Sequence, residues 1–295
     1  MIDSLNTQFG SENVTFYKGQ GDLIFVKIRS NSATASISLH GAHIISFIPN
    51  GRRDTLWVSQ ECIFKAGTAI RGGIPVCWPW FGAHPSDSSK PSHGFVRNRY
   101  WNVKSVEEEK DQTVITFFLK DDEKTRTVWD YSFEVNLEVK LSDKMEVNLI
   151  SRNFGDKPFT VGGALHSYFS VSEVADISIK GLESVNYVDA LQDMQTAKQD
   201  GAITFKEEVD RVYIDTPHTC AIIDPAFNDS IKVSKSGSQS TVIWNPWIEK
   251  AKRLPGYGDE EYHNMVCIET TNALKDVYEV QPGAVHTMTQ VIELV

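Results

Sequence analysis

Tyr131-Ser132-Phe133-Glu134-Val135-Asn136-Leu137-Glu138-Val139-Lys140-Leu141-Ser142-Asp143-Lys144-Met145-Glu146-Val147-Asn148-Leu149 decides the class of fold. Apolar side chains occupy every second position from Tyr131 to Leu141, and again Met145, Val147 and Leu149. Successive side chains of a strand point to opposite faces, so a period of two means strands with one buried face. Ser142-Asp143-Lys144 is a polar turn between them, and the pair reads as a β-hairpin.

The same grammar extends in both directions. Upstream, Leu23–Arg29, Ala35–His40, Ile44–Ile48, Leu56–Val58, Trp101–Val106 and Thr113–Leu119 are rich in β-formers or alternate, and turn signals such as Pro49-Asn50-Gly51 separate them. Asp121–Arg126 reads as a charged link. Downstream, strands are expected at Phe159–Val161, Ile177–Ile179, Asn186–Val188, Val212–Ile214, Cys220–Ile223, Ile231–Val233, Thr241–Trp244, Met265–Glu269 and Met288–Ile292. Residues 1–20 are weakly patterned and read as a loose lead-in or a first edge element. Residues 247–262 are the place for a helical or looped insertion, with Pro255 and Gly256 favouring loop. Evenly spread short strands without helical periodicity indicate an all-β fold, a large antiparallel β-sandwich. No linker composition divides the chain, so residues 1–295 are expected to form a single domain. No fixed-period repeat points to a propeller.

Composition narrows the function. Hydrophobic residues make up 41% of the 295 and charged residues 23%, enough for a sizeable core. The net charge of −10 argues against a nucleic-acid or anionic-membrane surface. No apolar run reaches transmembrane length, and the first residues lack the basic and apolar regions of a signal peptide. Cys62, Cys77, Cys220 and Cys267 show neither CxxC nor zinc-type spacing and read as buried thiols, which suits a reducing cytoplasm. A cytoplasmic monomer is expected, since no long apolar edge or helix stripe advertises an interface.

The most unusual chemistry lies in Arg71-Gly72-Gly73-Ile74-Pro75-Val76-Cys77-Trp78-Pro79-Trp80-Phe81-Gly82, continuing to Ser92-His93-Gly94-Phe95-Val96-Arg97-Asn98. Prolines stiffen it, glycines permit close approach, aromatic rings supply flat walls, and Arg71, His93 and Arg97 supply charge. Such a loop suits a sugar or phosphate; it equally suits a corner that plugs one end of a β-structure. Arginine's planar fork of donors matches phosphate or carboxylate. His166, in Leu165-His166-Ser167-Tyr168-Phe169, is either a hydrogen-bonded core histidine or an acid–base group. Glu269 ends the apolar run Val266-Cys267-Ile268: it either faces solvent or is buried, where desolvation would raise its pKa toward a general-base range. Trp244-Asn245-Pro246-Trp247 is a second aromatic corner, a stacking wall or plain packing. His40 and His43 straddle a glycine break and lack metal-motif spacing. His84, His218, His263 and His286 stand in loop-like contexts and read as solvated. Walker A, Rossmann and GxSxG patterns are absent.

Taken together and in order, the 71–82 and 93–98 segments, Leu165–Phe169, Trp244–Trp247 and Cys267–Glu269 resemble the glucose-6-phosphate 1-epimerases. These hexose-6-phosphate mutarotases are a branch of the aldose 1-epimerase, or galactose mutarotase-like, superfamily. The resemblance spans the chain from about residue 20. It implies a β-supersandwich with a cleft on its concave face, and the interconversion of α and β anomers of hexose 6-phosphates. It implies His166 as general acid and Glu269 as general base, with Arg71 and Arg97 on the phosphate. Asp210 matches the family's sugar-binding aspartate, and His93 a second histidine of the cleft. Ser92 departs from relatives that carry Gln there. The resemblance implies no cofactor and no metal; a small sugar phosphate is the partner. The alternatives are a mutarotase of neutral aldoses such as galactose, or a non-catalytic carbohydrate-binding protein.

Overall fold

The computed structural model describes residues 1–295. The hairpin expected at 131–149 forms as Phe133–Leu141 and Met145–Asn153, antiparallel, with Leu141 opposite Met145. Phe133, Val135, Leu137, Val139 and Leu141 are fully buried, as the period of two requires. The other face is not simply solvated. Glu134 is also buried, and Lys104 and Lys120 reach its two carboxylate oxygens at 2.7 and 3.1 Å. Two long lysine stems thus cover a polar strand face that the alternation alone would leave wet.

The hairpin lies inside an eight-stranded sheet. Its order is Ser178–Lys180, Cys220–Asp224, Asp229–Ser236, Val285–Leu294, Met145–Asn153, Phe133–Leu141, Gln112–Lys120, Asn102–Glu109. A second eight-stranded sheet runs Gln195–Lys198, Asn186–Asp189, Val209–Tyr213, Ser240–Asn245, Met265–Asn272, Gly163–Leu165, Val76–Cys77, with Tyr168–Ser170 also pairing to Met265–Asn272. A four-stranded sheet (Val14–Lys18, Ile24–Arg29, Ala33–Ser38, His43–Pro49) and a small ribbon (Phe159–Val161 with Tyr278–Val280) complete the β-structure. Every paired strand is antiparallel. One core of 66 buried residues draws on both large sheets and on the four-stranded one. Trp78 Nε1 donates to Ser151 Oγ at 2.9 Å and Gln290 Nε2 to Ser167 Oγ at 2.7 Å, polar rivets between the large sheets. No helix is long and apolar enough to cross a membrane.

Several local expectations are corrected. Of the two readings of residues 1–20 the edge element holds, Val14–Lys18 being the edge strand of the four-stranded sheet, and the loose lead-in does not, since Ile2–Phe9 is a helix. Ile2, Leu5 and Phe9 recur on one helical face and pack on the core. The Asn6 side chain both donates to the Phe16 carbonyl and accepts from its N–H, at 2.8 Å each, clamping helix to strand. The charged link after Asp121 contains a helix, Glu123–Val128, started by a reciprocal Asp122–Thr125 capping box. Leu56–Val58 makes only isolated bridges, to Phe169 and Gly72. Gln195–Lys198 is a strand the pattern did not show, because all its side chains are exposed and no burial period marks it. The 247–262 segment holds a short helix, Trp247–Ala251, a loop, and a 3-10 turn, Glu261–Asn264. All four cysteines are free, three of them buried and Cys62 half-buried. His286 is not solvated: it lies buried in Val285–Leu294, bonded to Asn272 Oδ1 at 2.9 Å and stacked on Tyr278.

Candidate active site

The site is built around an interruption in strand pairing. Leu165 pairs with Thr270, and Tyr168 with Cys267, both on Met265–Asn272. Between these two ladders His166 and Ser167 leave the regular pattern, with the His166 N–H donating to the Pro75 carbonyl at 3.1 Å. The bend sends the two side chains opposite ways. Ser167 turns to Gln290, between the sheets. His166 turns into the pocket, with Nε2 3.5 Å from Glu269 Oε1. Glu269 stands opposite Val242 in mid-strand and is 1% exposed. It does not face solvent.

Polar atoms of this pair are left over. His166 Nδ1 and Glu269 Oε2 are buried and have no hydrogen-bond partner. Native proteins rarely leave such groups unpaired, because each costs about 1–3 kcal/mol. The His166 ring is held in place without being satisfied: it stacks on Tyr168 at 4.8 Å and 6°, with Trp244 edge-on at 6.0 Å. Burial pushes His166 well below the ordinary imidazole value, and His93, Arg97 and Arg71 add to the effect. Burial pushes Glu269 well above the ordinary carboxylate range, with Asp210 adding repulsion. Burial thus disfavours the charged form of both partners.

A pocket of about 170 Å³ opens over this pair, lined by Arg71, Phe81, His93, His166, Tyr168, Asp210, Val242, Trp244, Lys250, Leu254 and Glu269. Two hollows elsewhere are larger, about 760 and 660 Å³. The first is walled by Glu61, Asp259, Glu260 and Glu261 without a cation, and neither contains a histidine–carboxylate pair. Size is therefore a poorer guide here than the convergence of acid, base and cations.

The 71–98 segment forms one wall. Gly72 and Gly73 have φ of 112° and 59°, and a Cβ on Gly73 would run into the Ile44 carbonyl. His43 Nε2 meets the Gly72 carbonyl at 2.7 Å and fixes this turn, which carries Arg71 into the pocket beside the Tyr168 hydroxyl. His40 Nε2 likewise meets the Thr68 carbonyl at 2.9 Å, so the two histidines brace backbone and do not share a metal. His93, at φ 64° and followed by Gly94 at 70°, accepts from the Gly82 N–H through Nδ1 and sits edge-on to Phe81 and to His166. Burial, then Arg97 and Arg71, lower its pKa to about 3, so it is a neutral wall group.

Five of the six expected residues, Arg71, His93, His166, Asp210 and Glu269, line one pocket. Arg97 does not line it. Its Nη2 donates to the Ser92 carbonyl at 3.0 Å, its buried Nε has no partner, and its charge acts on both His93 and His166. Ser92 itself is exposed. Trp244 proves to be a pocket wall, while Asn245 is a brace whose amide donates to the Tyr262 and Met265 carbonyls. Lys250, Tyr168 and Leu254 belong to the site and were missed. Tyr168 follows His166 by two residues and could have been suspected; Lys250 and Leu254 come from the insertion, whose path no local pattern discloses.

Comparison with known proteins agrees with this geometry. The family pattern described as aldose 1-epimerase matches residues 25–293. Proteins named "Putative glucose-6-phosphate 1-epimerase" from Cenchrus ciliaris and Escherichia coli are each 35% identical to the chain. Those matches cover 86% and 85% of this chain and 79% and 84% of theirs, respectively. A crystal structure of "a putative mutarotase (YeaD)" from Salmonella typhimurium superposes with a TM-score of 0.90 at 30% identity, over 97% of this chain and 94% of that one. With a family match over residues 25–293 and relatives 35% identical over most of its length, the chain belongs to the aldose 1-epimerase family.

Proposed function

We propose that this protein interconverts the α and β anomers of a hexose 6-phosphate, with glucose 6-phosphate as the first substrate to test. The observation that carries the reading is the buried His166–Glu269 pair, 3.5 Å apart with one polar atom of each unpartnered. Sugar O1 and the ring oxygen O5 supply the partners these atoms lack. The C1 hydroxyl gives its proton to the Glu269 carboxylate while protonated His166 gives one to O5. The C1–O5 bond breaks and C1=O1 forms. The pair then holds one proton as carboxylic acid plus neutral imidazole, the state that burial favours. Rotation about C1–C2 offers the other carbonyl face, and closure runs the transfers backwards. Proton count and charge balance at every stage, and the site supplies positioning and matched proton transfer.

Arg71 on the pocket wall supports an anionic substrate, as do the relatives' names. One observation favours the second reading, a neutral aldose: Arg97 is not among the residues that line the pocket. Proton NMR exchange spectroscopy on glucose 6-phosphate and on glucose separates the two. Faster anomer exchange of the phosphorylated sugar at equal concentration supports the proposal; equal or faster exchange of glucose replaces it with the second reading.

A further inference from the structure

Asp210 lines the pocket, and the charges of Glu208 and Asp189 act on it. It is the second residue of the strand Val209–Tyr213, two residues after Glu208, and its backbone stands opposite Trp244. Asp189 of the adjacent strand faces it from the other side but is taken by Arg211 at 3.3 Å. Glu208 and Asp210 have one cation between them. Lys250 Nζ lies 3.0 Å from Glu208 Oε1 and 3.5 Å from Asp210 Oδ2, and sits 5.9 Å over the Trp244 ring. Asp210 lines the pocket, and its Oδ1 makes no protein hydrogen bond.

Lys250 comes from the short helix Trp247–Ala251, whose first residue is held at φ 51° by a bond from the Trp247 N–H to Asn245 Oδ1. The helix is thus fixed to the sheet edge by Asn245, and Asn245 by the Tyr262 and Met265 carbonyls. This ammonium is therefore aimed by the fold; it is not a loose surface lysine. Its electrostatic consequence is direct. Lys250 is the cation that faces Glu208 and Asp210 directly, while Arg71 lines the pocket and Arg97 acts on it through its charge. Without Lys250 these two carboxylates lose their shared counter-charge, and an incoming dianion meets uncompensated negative charge beside the pocket.

We infer that Lys250 is a specificity-determining positioning residue: it anchors one oxygen of Asp210 so that the other meets ring hydroxyls, and it cancels negative charge beside the pocket that would repel a phosphorylated sugar. The second half of this inference rests on the hexose-phosphate reading above; the first half does not. Burial and the neighbouring carboxylates both push Asp210 toward its uncharged form, and Lys250 opposes them, which fits an ammonium that keeps this carboxylate ionised and aligned.

The test measures KM and kcat for glucose 6-phosphate and for glucose in wild type, Lys250→Met, Lys250→Arg, Asp210→Asn and the Lys250→Met/Asp210→Asn double variant, with thermal melts as the folding control. In Lys250→Met, KM for glucose 6-phosphate is expected to rise about tenfold or more, KM for glucose about threefold, and kcat to change little. Lys250→Arg restores most of the loss. On glucose the double variant is no worse than Asp210→Asn alone, since there the lysine acts through that carboxylate. An unchanged KM in Lys250→Met, or penalties that multiply on glucose in the double variant, overturns the inference. A wild type without preference for the phosphorylated sugar fails the substrate reading instead; the non-additivity on glucose still decides whether Lys250 positions Asp210.

Discussion

His43 and His166 are two histidines placed in the interior by the same kind of architecture, and they end in opposite roles. Each follows a break in a β-strand, and burial pushes each imidazole below its ordinary value, His43 to about 3. The difference is in what the ring nitrogens meet. His43 spends Nε2 on the Gly72 carbonyl at 2.7 Å and thereby fixes the turn that presents Arg71. His166 is stacked and walled but keeps Nδ1 unpartnered, next to a carboxylate with an unpartnered oxygen of its own. Burial marks both residues; only the unsatisfied one is available to a substrate. Within one molecule, then, the useful question about a buried polar group is which hydrogen bond it lacks.

The largest effect should come from the unsatisfied side of that comparison. Glu269→Gln keeps shape and volume but cannot take a proton, so kcat should fall about 10³-fold, within the range for loss of an acid–base group, with the fold retained by circular dichroism. Anomer exchange at wild-type rate in this variant would end the assignment of Glu269 as base. On the satisfied side, His43→Ala should cost about 2–4 kcal/mol of stability in urea unfolding, because a buried ring is lost and the Gly72 carbonyl is orphaned. Intact stability with abolished chemistry would show that His43 had been placed in the wrong category.

A third test uses pH. His43 and His93 are both held at about 3 in the folded chain, against an ordinary imidazole value of 6.5. Below about 6.5 the unfolded chain binds protons that the folded chain refuses, so stability present at neutral pH is lost as pH falls toward 3. Each such histidine adds a slope of about 1.4 kcal/mol per pH unit, and His43→Gln should remove one histidine's share. A stability curve flat from pH 7 to 5 would contradict the burial of these neutral rings. Glu269 works in the other direction. Its raised value places the acid limb of kcat/KM above the ordinary carboxylate range, since the carboxylate form is needed to take the C1 proton. The smallest expected change isolates what His43 supports at a distance: Arg71→Met should raise KM for glucose 6-phosphate about tenfold and leave KM for glucose nearly unchanged. Equal losses on both sugars would make Arg71 a ring contact.

Much of this was legible in the linear chain. Alternation located strands with one face in the core, apolar runs located Ser240–Asn245 and Met265–Asn272, which are buried on both faces, and the hairpin register at Leu141 and Met145 follows from the alternation. What alternation could not show were elements outside that rule: the exposed strand Gln195–Lys198, the capped helix Glu123–Val128, and His286, whose burial depends on Tyr278 and Asn272. For the site, unusual residues in apolar runs singled out His166 and Glu269, and the stiff glycine-rich segment singled out Arg71 and His93. Arg97 shared the same local signature and yet does not line the pocket. A charged residue in a rigid loop declares its chemistry; which way it points depends on contacts made elsewhere.

That division is physical. Side-chain order along the chain is enough to set period, turn chemistry and apolar mass, and so the all-β class, because those depend on neighbours one to four positions away. It was also enough to single out His166, Glu269 and Arg71 as residue types in unusual contexts, with their roles left to the family resemblance. Only the tertiary structure could set His166 3.5 Å from Glu269, more than a hundred positions along the chain, and strip both of water until their pKa values moved toward one another. Only it could bring Lys250 from an unpatterned insertion onto Asp210, and leave Arg97 outside the pocket. Desolvation, charge coupling and unmet hydrogen bonds are properties of the enclosed volume, and that volume comes into being only when the sheets close around it.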